Sequence, residues 1–128
     1  MEVVLKQLLK HAYAPYSNYP VAAIVETKDG VSFQGVNVEN ATYGATICAE
    51  RNAINSAIAG GYQKGDFAAL HLLTTSKEIV FPCYLCRQTF SEFFDLETKI
   101  ILYTMDGKRE TYKVNELVKY PFVGDSLC

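Results

Sequence analysis

Three cysteines constrain this chain more than any other feature of its sequence. Cys48 stands within the run Thr-Ile-Cys-Ala-Glu-Arg, and much farther along the chain Cys83 and Cys86 form a Cys-x-x-Cys pair. In a reducing compartment, cysteines are more often metal ligands or catalytic groups than disulfides. We therefore expect a fold that brings two distant segments of the chain to one point.

The composition is that of a single globular domain spanning residues 1–128, with 49% hydrophobic and 20% charged residues. A net charge of −2 gives no basic field for a phosphate backbone, so we expect a small uncharged substrate and no nucleic-acid partner. The chain has no long apolar stretch and no signal-peptide pattern at its start, which predicts a cytoplasmic protein without membrane contact.

Hydrophobic periodicity predicts helices alternating with strands. Asp29-Gly30 lies between two apolar runs and indicates an antiparallel hairpin, while Gly60-Gly61 is expected to end the helix that begins at Cys48. The predicted helices are residues 2–13, 48–59 and 83–94, and the predicted strands are residues 21–25, 31–38, 67–74, 99–103 and 110–113. This order indicates an α/β domain in which helices cover the faces of a mixed sheet.

The positions of the cysteines on these elements favour a metal site. Cys83 and Cys86 would share the first turn of one helix, and Cys48 would begin another. The two helix N-termini would then favour the negative charge of a thiolate-bound ion, and Arg51 could donate hydrogen bonds to the sulfurs. Zinc with three protein ligands keeps an open fourth position, which is typical of catalytic sites, and Glu50 would lie beside it.

Three motifs, taken in order, resemble those of the small homotetrameric zinc-dependent cytidine deaminases. They are Asn37-Val38-Glu39-Asn40-Ala41, Ile47-Cys48-Ala49-Glu50-Arg51 and Pro82-Cys83 through Cys86-Arg87-Gln88. Similar elements at residues 12–17, 28–30, 116–117 and 122 extend the resemblance over nearly the whole chain. It implies one three-layer α/β/α domain with a five-stranded mixed sheet, and hydrolysis of cytidine or 2'-deoxycytidine to uridine or 2'-deoxyuridine and ammonia in pyrimidine salvage.

The resemblance also implies a role for each matching residue. One Zn²⁺ per chain is held by Cys48, Cys83 and Cys86, and hydroxide on that zinc attacks C4 with Glu50 as the proton shuttle. The implied substrate-binding residues are Asn37, Glu39, Tyr19, Ala49 and Phe122, and those supporting the ligands are Arg51 and Gln88. The family further implies a homotetramer whose pockets are shared between subunits, with Phe122, and Tyr43 as a second candidate, entering a neighbour's pocket.

Several positions depart from the pattern of the family. Ala22 stands where many relatives have glycine, Tyr84-Leu85 replaces a small pair between two ligands, and residues 119–121 alter the usual ending. Tyr19 stands where the family usually has phenylalanine. These changes could alter which ring or sugar fits, and deaminases of nucleoside antibiotics share the motifs. The reaction is therefore more firmly predicted than the substrate.

Other interpretations of the same residues remain open. Cys83 and Cys86 could form a thioredoxin-like dithiol, and Cys128 could close a structural site of four cysteines. A non-enzymatic binding module stapled by zinc is the alternative function class. Asn37 and Glu39 could be an ordinary solvated pair at a strand end, Tyr43 and Phe122 could be core aromatics, and His11 and His71 lie outside any ligand spacing.

Overall fold

The computed structural model describes residues 1–127, except for the side chains of residues 125 and 126. Its helices are α1 (Glu2–Leu9), α2 (Ala49–Ala59), α3 (Tyr84–Phe93) and α4 (Val114–Leu117), with 3-10 turns at Tyr43–Ala45 and Gly124–Leu127. Its strands are β1 (Val21–Thr27), β2 (Ser32–Val36), β3 (Phe67–Thr74), β4 (Lys99–Tyr103) and β5 (Arg109–Lys113). Within this described part of the chain, no helix combines the length and the apolar character needed to span a membrane.

The five strands form one mixed sheet in the order β2-β1-β3-β4-β5. β1 is antiparallel to both β2 and β3, β4 is antiparallel to β5, and the central pair β3 and β4 is parallel. A parallel pair needs a crossover connection, and here α3 lies within it. The predicted hairpin and the five-stranded mixed sheet are confirmed.

Alternating side chains of the sheet divide the core into two layers. Leu70 and Leu72 of β3 pack with Ala53 of α2 and Phe90 of α3 on one face. On the other face, the smaller cluster contains Leu5, Leu9, Ala22, Ile24, Leu73 and Tyr103, so that α1 covers that face. Helices therefore lie on both sides of the sheet, which confirms the predicted three-layer α/β/α arrangement.

Helix α1 is shorter than predicted because the residues that follow it form hydrogen bonds with a distant segment of the chain. The periodicity predicted a helix over residues 2–13, whereas α1 ends at Leu9. The Tyr13 N–H donates to the Asn37 carbonyl, and the Glu39 N–H donates to the Tyr13 carbonyl. These long-range hydrogen bonds take the backbone groups that a longer helix would have used.

Glycine at position 35 allows α2 to approach the sheet closely enough to place the candidate site. A Cβ atom at Gly35 would lie 2.4 Å from the Ala49 carbonyl oxygen and 2.4 Å from the Ala53 nitrogen. The Asn52 side chain adds a hydrogen bond of 2.8 Å from Nδ2 to the Val36 carbonyl. The first turn of α2 is therefore fixed against β2, with its N-terminus at the edge of the core.

Candidate metal and catalytic site

The three cysteines lie at the N-terminal ends of two helices. Cys48 is the N-cap residue of α2, Cys83 is the N-cap residue of α3, and Cys86 follows in the first turn of α3. Neither helix has a side-chain hydrogen bond at its N-cap. Because the first N–H groups of a helix have no partner within the helix, both ends favour negatively charged thiolates.

The thiol groups converge to distances that suit a single metal ion. The sulfur atoms of Cys48, Cys83 and Cys86 all lie within 4.8 Å of one another, and the Cys48 and Cys83 sulfurs are 3.9 Å apart. A Zn–S bond of about 2.3 Å in a tetrahedral site corresponds to sulfurs roughly 3.8 Å apart. Both the donor atoms and their spacing therefore fit one zinc ion.

Arg51 supplies positive charge beside the thiols. Its Nη2 atom donates to the Cys48 sulfur over 3.5 Å, while its buried Nε atom has no hydrogen-bond partner among the described residues. A hydrogen bond from the Cys86 thiol, supported by Arg51, lowers the pKa of the Cys48 thiol to about 5. The pKa of Cys86 is raised because it hydrogen-bonds Cys48 and is buried. One thiolate is thus already favoured at neutral pH.

Glu50 is buried next to this cluster. Its side chain is 5% exposed, and it lines the same cavity as Cys48 and Cys83. Burial, reinforced by the negative charge of Cys48, raises the pKa of Glu50 to about 7. A carboxyl group with a pKa near neutrality can both accept and donate a proton, which is the property required of a general acid-base group.

Cys48, Cys83 and Glu50 line a cavity of about 360 Å³, a volume within the range of small-molecule sites. Four residues predicted to bind substrate, Tyr19, Asn37, Glu39 and Ala49, also line it. The other lining residues were not predicted from the sequence, and they are Ser17, Val21, Thr46, Leu72, Thr74, Val80, Phe81 and Pro82. Several of them are next to a predicted residue in the sequence, and that adjacency is the signal that could have indicated their place in the cavity lining.

Asn37 and Glu39 are not a solvated pair at a strand end. Both are nearly buried, at 8% and 9% exposure, and both hold the segment that precedes β1. Asn37 Oδ1 accepts the Val21 N–H over 2.9 Å, and Nδ2 donates to the Tyr19 carbonyl over 2.9 Å. The Glu39 carboxylate accepts the backbone N–H groups of residues 16 and 17. The two residues therefore shape the cavity wall that carries Tyr19.

This chain is similar to a family of known proteins over most of its length. The model of the cytidine and deoxycytidylate deaminase zinc-binding region matches residues 1–104. The chain belongs to this family. It is 35% identical to the cytidine deaminase of Mycoplasma genitalium over 95% of each chain. It is also 36% identical to that of Halalkalibacterium halodurans over 94% of this chain and 90% of the relative.

A solved structure agrees with the family at the level of the fold. The crystal structure of the cytidine deaminase from Burkholderia pseudomallei superposes with a TM-score of 0.90 and 39% sequence identity, covering 94% of each chain. The resemblance stated from the motifs is thereby confirmed, as is the five-stranded α/β fold. With a zinc-binding family and three converging thiols, the cofactor predicted from sequence, one zinc ion, is also supported.

Two residues assigned from this deaminase family lie away from the cavity of their own chain. Phe122 is 58% exposed and does not line the cavity. The Gln88 side chain donates to the Phe122 carbonyl over 2.8 Å and is thus engaged with the C-terminal segment. Their proposed roles in substrate binding and in supporting the zinc ligands remain predictions.

The bulky pair between the ligands points outward. Tyr84 and Leu85 are 79% and 65% exposed, and neither lines the cavity. Arg87 lies over the Tyr84 ring at 4.5 Å from its centroid. The departure from the family at these two positions therefore leaves the described cavity open. Tyr43 is likewise exposed, which excludes a place in the core of the single chain.

The positions of the cysteines and of His71 bear on the other roles that the sequence left open for them. Because Cys48 lies beside Cys83 and Cys86, an isolated thioredoxin-like dithiol does not account for the cluster. Cys128, considered as a fourth ligand, lies outside the described residues. His71 hydrogen-bonds the Tyr103 hydroxyl over 2.8 Å and contacts Glu26 on the α1 side of the sheet, away from the thiols. The sequence-based view that it is not a ligand agrees with this position.

We predict that Arg51→Ala lowers kcat/KM by about 10- to 100-fold without removing zinc, because groups supporting the ligands act at this magnitude. The change withdraws the hydrogen bond to Cys48 and the positive charge that offsets three thiolates. Steady-state kinetics and metal analysis of the same preparation measure the two quantities. Full zinc content with unchanged turnover would exclude this role for Arg51.

Proposed function

We propose that this chain hydrolyses cytidine and 2'-deoxycytidine to uridine and 2'-deoxyuridine, releasing ammonia. The observation that carries the proposal is the position of Glu50, a buried carboxyl that lines the cavity beside three thiols converging on one point. A structural zinc site is normally closed by four protein ligands and needs no adjacent free carboxyl. This arrangement favours an enzyme over a zinc-stapled binding module.

In the proposed reaction Cys48, Cys83 and Cys86 hold the zinc. When bound with three protein ligands, zinc leaves one position for water and lowers the pKa of that water toward about 7. The thiols are reduced in this role, which is consistent with the predicted cytoplasmic location. Arg51 and the N-termini of α2 and α3 offset the negative charge of the ligands.

Glu50 moves the protons. Hydrolysis adds one water across the bond between C4 and the amino group, so that both protons of the water must be relocated. Glu50 first accepts one proton and delivers it to N3 as the new C–O bond forms at C4. It then accepts the second proton and delivers it to the amino group, so that the C–N bond breaks and ammonia leaves. Oxygen remains on C4 as the carbonyl of the uracil ring.

The cavity supports a nucleoside substrate rather than a nucleotide. Apolar side chains such as Leu72 and Phe81 can contact a flat ring, and Asn37 and Glu39 can bind sugar hydroxyls. None of the described residues that line the cavity is lysine or arginine. Since phosphate groups are usually bound by such cations, a phosphorylated sugar would find no cationic side chain among the described lining residues.

Incubation of the purified zinc-loaded protein with cytidine tests the proposal directly. We expect ultraviolet absorbance to change as the 4-amino group is lost, with release of one ammonia per uridine. Cytidine 5'-monophosphate at the same concentration should react far more slowly. Zinc-loaded protein that releases no ammonia from cytidine or deoxycytidine would support the binding-module alternative instead.

A homotetramer with shared pockets is the proposed assembly. The single chain leaves large apolar side chains exposed, among them Tyr43, Tyr84, Leu85 and Phe122. Aromatic side chains exposed on a single chain are enriched at the interfaces between subunits. Phe122, which has no place in its own cavity, could complete the cavity of a neighbour. Light scattering should therefore give about four times the 14.3 kDa of one chain.

We predict that mixing two inactive variants restores activity if the pockets are shared. Phe122→Ala removes the side chain donated to the neighbour, and Glu50→Gln removes the proton shuttle from the receiving chain. A working site needs Glu50 from one subunit and Phe122 from its neighbour. When equal amounts of the two variants mix at random, up to about a quarter of the sites meet both conditions, and activity should return to that fraction. Tyr120→Ala is the matched control, since Tyr120 is fully exposed. An active monomer, or mixtures that stay inactive after subunit exchange, would contradict the shared pocket.

A further inference from the structure

The hydrogen bonds of Glu39 leave only one of its oxygens free to meet a ligand. Oε1 accepts two backbone N–H groups, from Tyr16 over 2.9 Å and from Ser17 over 3.1 Å. A carboxylate oxygen accepts about two hydrogen bonds, so Oε1 is saturated. Oε2 accepts only the Ser17 hydroxyl among the described residues and keeps one acceptor position. A ligand that uses Glu39 must therefore bind at Oε2.

The Ser17 hydroxyl is itself fixed from both sides. It donates its single proton to Glu39 Oε2 and accepts the Tyr19 N–H over 3.1 Å. A tight turn creates this arrangement, since Asn18 between them adopts a left-handed backbone with φ of 54°. The hydroxyl has one acceptor position left and no proton to donate. These donors also hold the pKa of Glu39 below its usual value, with the Ser17 hydroxyl as the main cause.

Ser17 and Glu39 line the cavity that contains Cys48 and Glu50, and they also line the adjoining cavity that contains Tyr16 and Tyr43. Together the two side chains present hydrogen-bond acceptors and no donor to a molecule lying between the cavities. A hydroxyl group, which can donate, satisfies them. An ether, a fluorine or a phosphate oxygen cannot donate, and would leave the two acceptors facing another acceptor.

We propose that Ser17 is a positioning residue that orients Glu39 Oε2 toward a sugar hydroxyl and thereby makes the site selective for nucleosides with free ring hydroxyls. This inference deepens the proposed function and depends on it for the identity of the ligand. Ser17 acts through Glu39 and touches none of the reacting atoms. Its removal should weaken recognition of the sugar and leave the zinc site unaffected.

Binding of two unreactive nucleosides provides the test. Uridine carries the ring hydroxyls and 2',3'-dideoxyuridine lacks them, so the ratio of their dissociation constants measures recognition of the hydroxyls. We expect Ser17→Ala to reduce that ratio by about 10-fold or more in calorimetry of the zinc-loaded protein, since hydrogen bonds to charged groups act at this magnitude. Affinity for the dideoxynucleoside should stay within about 2-fold. Ser17→Cys, with its weak S–H donor, should give an intermediate ratio.

A merely structural role for Ser17 would weaken the binding of both nucleosides equally, and that result would overturn the inference. The same conclusion follows if wild-type protein binds the two nucleosides equally well. If Ser17→Ala fails to fold, the ratio in Ser17→Cys decides between the two roles. Ser56→Ala is the matched control, because the only hydrogen-bond partner of its hydroxyl among the described residues is the helix carbonyl of Asn52. Ammonia release from cytidine is measured separately, so failure of the proposed reaction remains distinguishable.

Discussion

Glu50→Gln should retain one zinc per chain and bind nucleoside, yet lose at least about three orders of magnitude in kcat. General acid-base catalysis is typically worth about 10² to 10⁴ in rate, and one group that serves every proton transfer should lie in the upper part of that range. Glutamine keeps the size of the side chain but can neither accept the proton of the attacking water nor deliver one to N3 or the amino group. Because the three thiols are the proposed ligands, the substitution removes no metal donor.

Three measurements separate this role from a structural one. Metal analysis and light scattering establish that the variant keeps zinc and its assembly, and calorimetry with uridine establishes that the pocket is intact. Glu97→Gln is the matched control, since Glu97 is an exposed carboxylate paired with Lys113. A Glu50→Gln protein that keeps more than roughly a tenth of wild-type kcat would refute the assignment.

The strands of the core were predictable because their sequences leave few alternatives. Residues 67–74 are almost continuously apolar, as expected for a strand covered on both faces, and β3 has those bounds. Helix α1 was extended too far, because the sequence of residues 10–13 continues the helical pattern. What ends α1 is the pairing of Tyr13 with residues far along the chain, and local periodicity carries no information about such contacts.

The convergence of the three cysteines was predictable because it depends on residue type and spacing. A Cys-x-x-Cys pair at the start of one helix and a cysteine at the start of another predict convergence, and the sulfurs lie within 4.8 Å of one another. The outward direction of Tyr84 and Leu85 was not predictable. Which side of a first turn faces solvent depends on how the whole helix packs. In α3 the buried residues are Cys86 and Phe90, which belong to the core.

The cavity wall that contains Asn37 and Glu39 was predicted only in part. Motif resemblance assigned Asn37 and Glu39, but the hydrogen bonds of both residues to the segment of residues 16–21 came from the tertiary structure. Ser17 is an exposed serine in a turn-rich stretch, where serine is usual for reasons unconnected with binding. Only its contact with Glu39, a residue distant in sequence, distinguishes it from other turn serines.

Cys86→Ser should abolish zinc binding and reduce deamination by more than about four orders of magnitude, the largest effect that we predict. Cys86 of α3 is fully buried in the core cluster that α2, α3 and the sheet share. Serine would therefore place a hard hydroxyl where a soft thiolate is needed. Without zinc, the pKa of water stays near its bulk value and Glu50 has no activated nucleophile to deprotonate. Two ligands on α3 and one on α2 also tie these helices together, so loss of the ion should lower thermal stability.

Chelation of wild-type protein should reproduce the stability loss of Cys86→Ser, about 4 kcal/mol if zinc is present at roughly a thousand times its dissociation constant. Added chelator should then have little further effect on the melting temperature of the variant, because it has no zinc to lose. Cys128→Ser is the matched control, and it should keep one zinc, full activity and the wild-type melting temperature. Release of zinc from a folded Cys128→Ser protein would instead mean that the fourth cysteine closes the site. In that case no position would remain for water, and the catalytic interpretation of the three-thiol cluster would be wrong.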